Sequence, residues 1–453
     1  MKVENNLDTD DMRTLVWRLA FPSMLAQFVS VFYSIVDRMY IGNIAVVGEK
    51  ALAGVGICGP IVTLISSVAF LVGVGGSPLM SIRLGEKNER AAGQIVSNCF
   101  LLLAILSTAI TVVALLLKNH LLMWFGASEA TFPYANAYIT IYLLGTVFAL
   151  LATGMNQFII CQGFAKVGMK SVLLGAVCNI ILDPVFIFLF HMGVRGAAVA
   201  TVISQMASCA YVLKFLFGSR AMVRITFSGY DWRIMRRVML IGLSPFLIIA
   251  FDNVLIIALN TIIQKYGGES RGDMLLTCMT IVQSFMLIVT MPLGGITSGT
   301  QTILGYNYGA RRPDRIKKAE RHIVTLALAF TTIMFVIAQT IPQLFVRIFT
   351  QNEEYVELTV WAIRVYTMGI IPLACQYTVV DGFTGMGIAR VAISLSMFRK
   401  VVFLAGAFLI PAYWGITNIF YTEPISDVIA AIVSGSVYFL VIDRIINHKP
   451  ETV

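Results

Sequence analysis

Five oxygen-bearing side chains in otherwise apolar stretches are the residues of this sequence whose spacing could support chemistry. Asn179 and Asp183 are four residues apart, so they share one face if the segment is helical. Thr201 and Gln205 repeat that spacing in the next apolar stretch, and Asp37 lies in the first one. Together they offer carboxylate, amide and hydroxyl oxygens, which suit a hard cation such as sodium. The two carboxylates could carry a proton instead.

A structural role for these side chains remains open at this point. They could form a buried hydrogen-bond network that ties helices together, and Asp37 could form an interfacial salt bridge with the adjacent Arg38. Pro184 follows Asp183 and has no backbone N–H, so nearby carbonyl groups lose a donor. Ionisable groups inside membrane segments are costly and tend to mark ion or substrate paths, which favours a functional role for the two acids.

The elements that must position these residues are membrane-spanning helices. Hydrophobic residues make up 58% of the 453 residues and charged residues only 13%, with a mean hydropathy of +0.83. A soluble chain carries roughly a quarter charged residues, whereas segments of about 20 apolar residues span a bilayer. We therefore predict an all-α integral membrane protein with twelve transmembrane helices. The seven cysteines lie singly and predict neither a disulfide framework nor a zinc site.

The distribution of basic residues predicts the orientation in the membrane. The net charge is +9, but most of the 33 Lys and Arg residues lie at the termini and in the even-numbered loops. By the positive-inside rule, both termini are then cytoplasmic. Short loops and an uncleaved N-terminal segment suit a bacterial inner membrane. We expect a multi-pass monomer whose partners are the lipid bilayer and small molecules, and not nucleic acid.

An internal repeat predicts two pseudo-symmetric six-helix lobes. We divide the chain into an N-terminal lobe, 1–217, a basic cytoplasmic linker, 218–237, and a C-terminal lobe, 238–453. Two such lobes would enclose a central cavity, and rocking of one against the other would give alternating access. Three pairs of short segments match in order at nearly constant spacing: Leu19–Pro22 with Gly242–Pro245, Arg83–Lys87 with Asn307–Arg311, and Gly168–Ser171 with Gly387–Arg390.

The repeat also predicts which lobe holds the functional acids. Asp37 aligns with Asn260 and Asp183 aligns with Val402, so neither acid recurs in the second half. A purely structural role would be expected in both lobes. We therefore place the coupling-ion site in the N-terminal lobe. Its predicted members, which would ligate a metal ion only if the ion is sodium, are Asp37, Asn179, Asp183 and Thr201.

Other polar side chains in the spans are candidates for supporting roles. Asp252 and Asp381 are weaker candidates for a part in transport. A charge cluster formed by Arg399, Glu423 and Asp427 favours a structural or gating role over substrate contact. The residues predicted to line the substrate cavity are Gln27, Asn156, Gln157, Gln205 and Gln283.

The sequence supports neither an enzymatic function nor nucleotide binding. The stretch Gly54–Gly59 matches GxGxxG, but it opens an apolar segment instead of following a strand, so close helix packing explains it better. No Walker A motif occurs, and the four histidines have no metal or nucleophile spacing. We predict no enzymatic activity and no cofactor, with Na⁺ or H⁺ as the coupling ion.

The sequence resembles the multidrug and toxic compound extrusion (MATE) transporters over essentially its whole length, and most of all their prokaryotic DNA-damage-inducible-like branch. The resemblance implies twelve helices in two lobes and export of organic cations and drugs in exchange for sodium or protons. It also implies that Asp37, Asn179, Asp183 and Thr201 form the cation site of the N-terminal lobe. The motifs that carry it are Pro22 with Val36–Gly42, Gly73–Ser77 with Leu84 and Gly85, Asn179–Pro184, Gly196–Thr201 and Pro424–Asp427.

Two other functions compete with cation-coupled antiport. A lipid-linked oligosaccharide flippase of the same superfamily would need several cationic side chains for a pyrophosphate, and Arg399 is the main one within the spans. A membrane receptor or scaffold would not need two buried acids in one lobe of a duplication.

Overall fold

The computed structural model describes residues 5–45 and 47–447, and these are helical throughout apart from short connections and the segment before the first helix. Twelve helices are long and apolar enough to cross a membrane, as predicted. In chain order they are α1 Met12–Gly42, α2 Lys50–Gly85, α3 Glu89–Trp124, α4 Phe132–Ile160, α5 Ala165–Leu189, α6 Val194–Phe217, α7 Trp232–Gly267, α8 Met274–Gly309, α9 Pro313–Thr340, α10 Glu353–Gly385, α11 Ala389–Trp414 and α12 Ile416–Ile446.

Local polar residues fix where several helices begin. The carboxylate of Asp11 accepts a hydrogen bond from the Thr14 amide at 3.3 Å, and Asn88 accepts one from the Ala91 amide at 3.0 Å. Each side chain satisfies an amide that has no partner inside the helix. Asp231 caps α7 in the same way, so the helix begins at Trp232. The last six residues of the predicted linker, 232–237, are therefore helical, and the connection proper is 218–231.

The chain reverses direction between α7 and α8 although helical backbone hydrogen bonding continues from Trp232 to Gly309. A Cβ atom on Gly242 would collide with the backbone of Leu71, and one on Gly309 with the backbone of Ile82. A straight helix would separate these glycines by about 100 Å, while the two residues of α2 are only about 17 Å apart along their helix. Both spans therefore pack against α2, and the two glycines permit the close approach.

Backbone conformation supports the internal repeat and corrects one of its matches. Lys87 and Arg311, which the repeat aligns, are both left-handed, with φ of 61° and 55°. Gly163 and Gly387 are separated by the same number of residues and have φ of 87° and 77°. Gly387 therefore corresponds to Gly163 and not to Gly168, which lies inside α5. The corrected register aligns Asp183 with Ala407 instead of Val402, so the second half still lacks the acid.

The N-terminal segment before α1 joins the two halves of the chain at the face where the termini lie. Asn5 donates to the carbonyl of Gly163 at 2.7 Å. The Asp8 carboxylate binds Lys87, from the first half, at 2.7 Å and Arg312, from the second half, at 2.6 Å. The hydrogen bond with Lys87 lowers the pKa of Asp8 and raises that of Lys87. One carboxylate thus connects both halves.

Candidate coupling-ion site

The last turns of α5 place two of the predicted site residues on one face. Asn179 and Asp183 are 2% and 0% exposed, so burial removes both from solvent. Pro184 cannot donate a backbone hydrogen bond, and the residues after it, Val185–Leu189, form a π-helical turn. Such wide turns interrupt regular helix packing and are frequent at functional sites.

Close packing brings α6 to the same place. A Cβ atom on Gly196 would lie 2.7 Å from the backbone of Phe186 in the π-helical turn, so only glycine allows this approach. Thr201 lies about a turn and a half further along α6. The close approach at Gly196 therefore explains how Thr201 comes within reach of α5.

The four predicted members of the site come together in the structure. Asn179 Nδ2 donates to Asp183 Oδ1 at 3.2 Å and to Thr201 Oγ1 at 3.4 Å. The carboxyl groups of Asp37 and Asp183 lie within hydrogen-bonding reach of each other. Helices α1, α5 and α6 therefore converge on one polar cluster. Two carboxylates in contact repel each other unless a proton or another cation lies between them.

Four buried acceptor atoms in this region have no hydrogen-bond partner: Asp37 Oδ1, Asn179 Oδ1, Asp183 Oδ2 and Gln205 Oε1. Buried polar atoms are normally paired, and an unpaired one costs about 1–3 kcal/mol. All four are oxygen atoms, and a cation between the two carboxylates would provide a partner for the oxygen atoms of Asp37 and Asp183. Within residues 5–45 and 47–447, no group of three or more His, Cys, Asp or Glu could hold a metal ion. Two carboxylates with neutral oxygens are suited to a proton or a small hard cation.

Tyrosines complete the surroundings of the cluster, and the sequence analysis did not identify them. Tyr138 of α4 lies beside Thr201 and Asp37, and Tyr142 lies beside Gln205. Their rings stack with centroids 6.2 Å apart. Tyr33 of α1 lies near Asp37. The spacing of four residues between Tyr138 and Tyr142 was a signal that one face of α4 is polar.

The second half also contains acids in its spans, some bound by cationic side chains and others by hydroxyl groups, such as the buried Glu320, which accepts a hydrogen bond from Tyr438. Arg399 binds Glu423 at 2.6 Å and Asp427 at 2.8 Å, and all three side chains are nearly buried. Lys400 forms an ion pair with Asp252. Asp381 accepts a hydrogen bond from Thr297 instead. The predicted charge cluster is therefore formed, and it ties α11 to α12.

The five residues predicted to line a substrate cavity lie at different places. Asn156 accepts a hydrogen bond from Ser171 at 3.3 Å, which links α4 to α5 inside the first half. Gln157 lies against Gly73 of α2, and Gln27 of α1 lies against Gly295 of α8, between the two halves. Gln205 of α6 lies beside Tyr142, and Gln283 is half-buried in α8. Their contact with a substrate stays a prediction.

Comparison with known proteins gives matches along the whole chain. The family model described as MatE matches residues 22–185 and 249–429. The chain is 26% identical over 442 residues to the Multidrug export protein MepA of Staphylococcus saprophyticus, covering 95% of this chain and 94% of that protein. It is 23% identical over 441 residues to MepA of Staphylococcus aureus strain MRSA252, covering 96% and 95%.

Solved structures share the fold. One, described as the outward-facing conformation of a multidrug resistance MATE family transporter of the MOP superfamily, superposes with a TM-score of 0.90 at 22% identity and covers 97% of this chain and 98% of that one. A second, a MOP superfamily transporter from Pyrococcus furiosus whose binding pocket is described as having reverse polarity, gives a TM-score of 0.91 at 22% identity, with 98% of both chains covered.

Proposed function

The chain belongs to the MatE family, and from that premise we propose that it is a multidrug exporter driven by Na⁺ or H⁺ antiport. Its relatives of similar length are multidrug export proteins. The four unpaired oxygen atoms around Asp37 and Asp183 support the coupling-ion site most directly. A cation bound there would relieve both the carboxylate repulsion and the missing hydrogen bonds.

Antiport follows if the ion and the substrate favour different conformations. Ion binding at Asp37 and Asp183 would stabilise one state, and a cationic or amphipathic substrate between the lobes would stabilise the other. Because linkage is reciprocal, each ligand would then promote release of the other. The residues with a role in coupling are Asp37, Asn179, Asp183 and Thr201.

Alternating access would require the two lobes, 1–217 and 238–453, to separate where they now touch. On the face that holds the termini, the contacts to be broken are those of α2 with α8 and the bridge from Asp8 to Lys87 and Arg312. Because the basic loops lie on this face, we assign it to the cytoplasm. The protein would then act as a monomer in the bacterial cell membrane and move substrates outward.

A flippase for a lipid-linked pyrophosphate is the less favoured function. Such a substrate needs cationic side chains that are free to bind phosphate. Arg399 and Lys400 are the cationic residues near the centre of α11, and carboxylates bind both of them. This pairing favours a cationic substrate over a pyrophosphate.

Substrate efflux from proteoliposomes under separately imposed Na⁺ and H⁺ gradients tests the proposal. We expect one of the two gradients to drive efflux in the wild type and Asp183→Asn to abolish that dependence. The asparagine keeps the shape of the side chain and removes its charge. Asp314→Asn, an exposed acid at the start of α9, serves as the matched control and should transport normally.

Each outcome has a distinct meaning. Efflux that ignores both gradients in the wild type would rule out antiport, and the absence of efflux would favour the receptor or scaffold. Gradient-driven efflux that survives Asp183→Asn would retain antiport and move the coupling site away from α5.

A further inference from the structure

The connection between α6 and α7, residues 218–231, packs in an ordered way against the first half of the chain, and we call it the wall. Ala221, Val223 and Ile225 are buried, and the residues between them are exposed, which is the alternation of an extended segment laid on an apolar surface. Its buried side chains pack against the ends of the helices of the first half. The segment therefore has one face turned inward and one face turned outward.

Side chains of α3 and of the turn after α4 fix the backbone of this segment. The amide of Val223 donates to Gln162 Oε1 at 2.9 Å, and the amide of Thr226 donates to Ser97 Oγ at 2.9 Å. Asn98 binds the backbone twice, accepting from the Asp231 amide at 2.8 Å and donating to the Gly229 carbonyl at 3.0 Å. Four hydrogen bonds, three from α3 and one from the turn after α4, thus hold the shape of the wall.

A groove of about 560 Å³ lies between this wall and the first turns of α3. Arg90 lines it from the helix and Arg224 lines it from the wall. Both are exposed, and across the described part of the chain neither takes part in an ion pair. Glu89 also lines the groove, so one carboxylate partly offsets two guanidinium groups. Guanidinium groups bind phosphate oxygens in bidentate fashion.

Exposed aromatic rings beside the groove place it at the boundary of the bilayer. Phe217 and Phe227 stack with centroids 5.6 Å apart, and Phe100 packs edge-on against both. Phe227 is 73% exposed and Trp232 is 65% exposed. Aromatic side chains with one apolar side are enriched where lipid chains meet headgroups. The long apolar run of α3 begins at Cys99, about a turn and a half after Gln94, which would place the groove at headgroup depth.

We propose that this groove binds the headgroup of an anionic phospholipid from the leaflet on the same face. Arg90 and Arg224 would bind the phosphate, and the rings of Phe100, Phe217 and Phe227 would contact the upper acyl chains. The positive charge of loops accounts for a diffuse attraction to anionic lipid, whereas a walled groove lined by two arginines predicts a single preferred site. This site is independent of the coupling ion and of transport.

Native mass spectrometry of the purified, delipidated protein tests the site, with dioleoylphosphatidylglycerol as the ligand and dioleoylphosphatidylcholine as the neutral comparison. We expect the wild type to retain one phosphatidylglycerol preferentially. Arg90→Ala with Arg224→Ala should weaken that binding about 30-fold, as expected from two membrane-facing charges. The matched control, Arg321→Ala with Arg390→Ala, removes two other exposed arginines at helix ends on this face and should bind like the wild type.

A second variant blocks the groove without changing its charge. A Cβ atom on Gly93 would meet only Val223 Cγ1, at 3.7 Å, so Gly93→Leu fits α3 and projects into the groove. We expect it to weaken phosphatidylglycerol binding, and Glu89→Gln to strengthen it. Equal losses in the two double-arginine variants, binding unaffected by Gly93→Leu, displacement by excess inorganic phosphate, or no preference over phosphatidylcholine would each overturn the proposal.

Discussion

In the N-terminal half, Asp37 and Asp183 face each other, and no ion pair among the described residues involves either of them. In the C-terminal half, Arg399 holds Glu423 and Asp427. Both clusters are buried between helices and both contain two carboxylates. They differ in whether the protein itself supplies the balancing cation.

This difference separates a structural cluster from one that can exchange a ligand. A built-in guanidinium offsets part of the charge of its two partners, so the C-terminal cluster carries its own cation in any state that keeps α11 on α12, although Asp427 Oδ2 has no hydrogen-bond partner. The N-terminal cluster has unpaired acceptor atoms and no cationic partner among the described residues, and under the proposed function an ion or proton from solution would supply the missing charge. The repeat makes the comparison informative, because the two halves are related in sequence and, among the described residues, only the C-terminal cluster has a cationic side chain bound to its acids.

The largest effect, a loss of stability, is expected when the C-terminal cluster is disrupted. Arg399→Met leaves two buried carboxylates without a cation and should destabilise the protein by about 3–5 kcal/mol. The combination of Arg399→Met with Glu423→Gln and Asp427→Asn removes the charges together and should recover most of that loss. Thermal unfolding of the purified protein measures both. A single variant as stable as the wild type would show that the arginine is not needed to balance the acids.

The next effect concerns the N-terminal cluster alone. Asn179→Ala removes the amide that binds both Asp183 and Thr201, and its free oxygen as well. Loss of one polar contact to a charged group, worth about 1.5–3 kcal/mol, should weaken coupling-ion affinity by about 10- to 100-fold. The ion concentration for half-maximal efflux measures it. Asn43→Ala, whose side chain binds only a carbonyl of its own helix, should leave this concentration unchanged.

A smaller effect is expected when Asp252 loses its cationic partner, because the second half then resembles the first in having an acid without a cation. Lys400→Met leaves Asp252 without its cation, and the Asp252 side chain is 46% exposed. We expect a new stabilisation by added organic cations of up to about 1 kcal/mol, the usual limit for exposed pairs. Thermal unfolding with and without a quaternary ammonium salt measures it. Lys317→Met, which breaks the surface pair with Asp443, should show no such gain.

The smallest effect is the pH dependence of the bridge between the halves. The pKa of Asp8 is lowered by the hydrogen bond from Lys87, so its stabilisation is present at neutral pH and is lost as the pH falls through the folded-state pKa. The pKa of Lys87 is raised by the same bond, so its contribution is lost only as the pH rises through that higher value. Thermal unfolding should therefore show no contribution from this bridge to pH dependence near neutrality.

Asp8→Asn should reproduce the acidic condition at neutral pH. Because both partners are at the surface, we expect a slight loss of stability and easier labelling of a cysteine introduced at Ser81, which is buried near the end of α2. Labelling equal to that of the wild type would mean that the contacts of α2 with α8 close this face without the bridge.

The spans and the acids could be predicted from sequence because both depend on local composition. Apolar length gave the twelve helices, and the spacing of Asn179 and Asp183 gave their shared face. The docked connection 218–231 was not predicted, because its binding to Ser97, Asn98 and Gln162 joins residues far apart in the chain. Its basic residues predicted a cytoplasmic linker, whereas the alternation of Ala221, Val223 and Ile225 indicates an extended segment with one buried face.

The sequence by itself indicated the membrane class, the duplication and the lack of counterparts of Asp37 and Asp183 in the second half. These features depend on hydropathy and residue spacing. Apolar segments form helices in the bilayer regardless of how the helices pack against each other. Only the tertiary structure decided which acids contact a cationic side chain. Lys400 meets Asp252 and Arg399 meets Glu423 and Asp427 across helices, whereas Asp37 meets another acid. Charge balance depends on distances between residues remote in sequence, so only packing can set it.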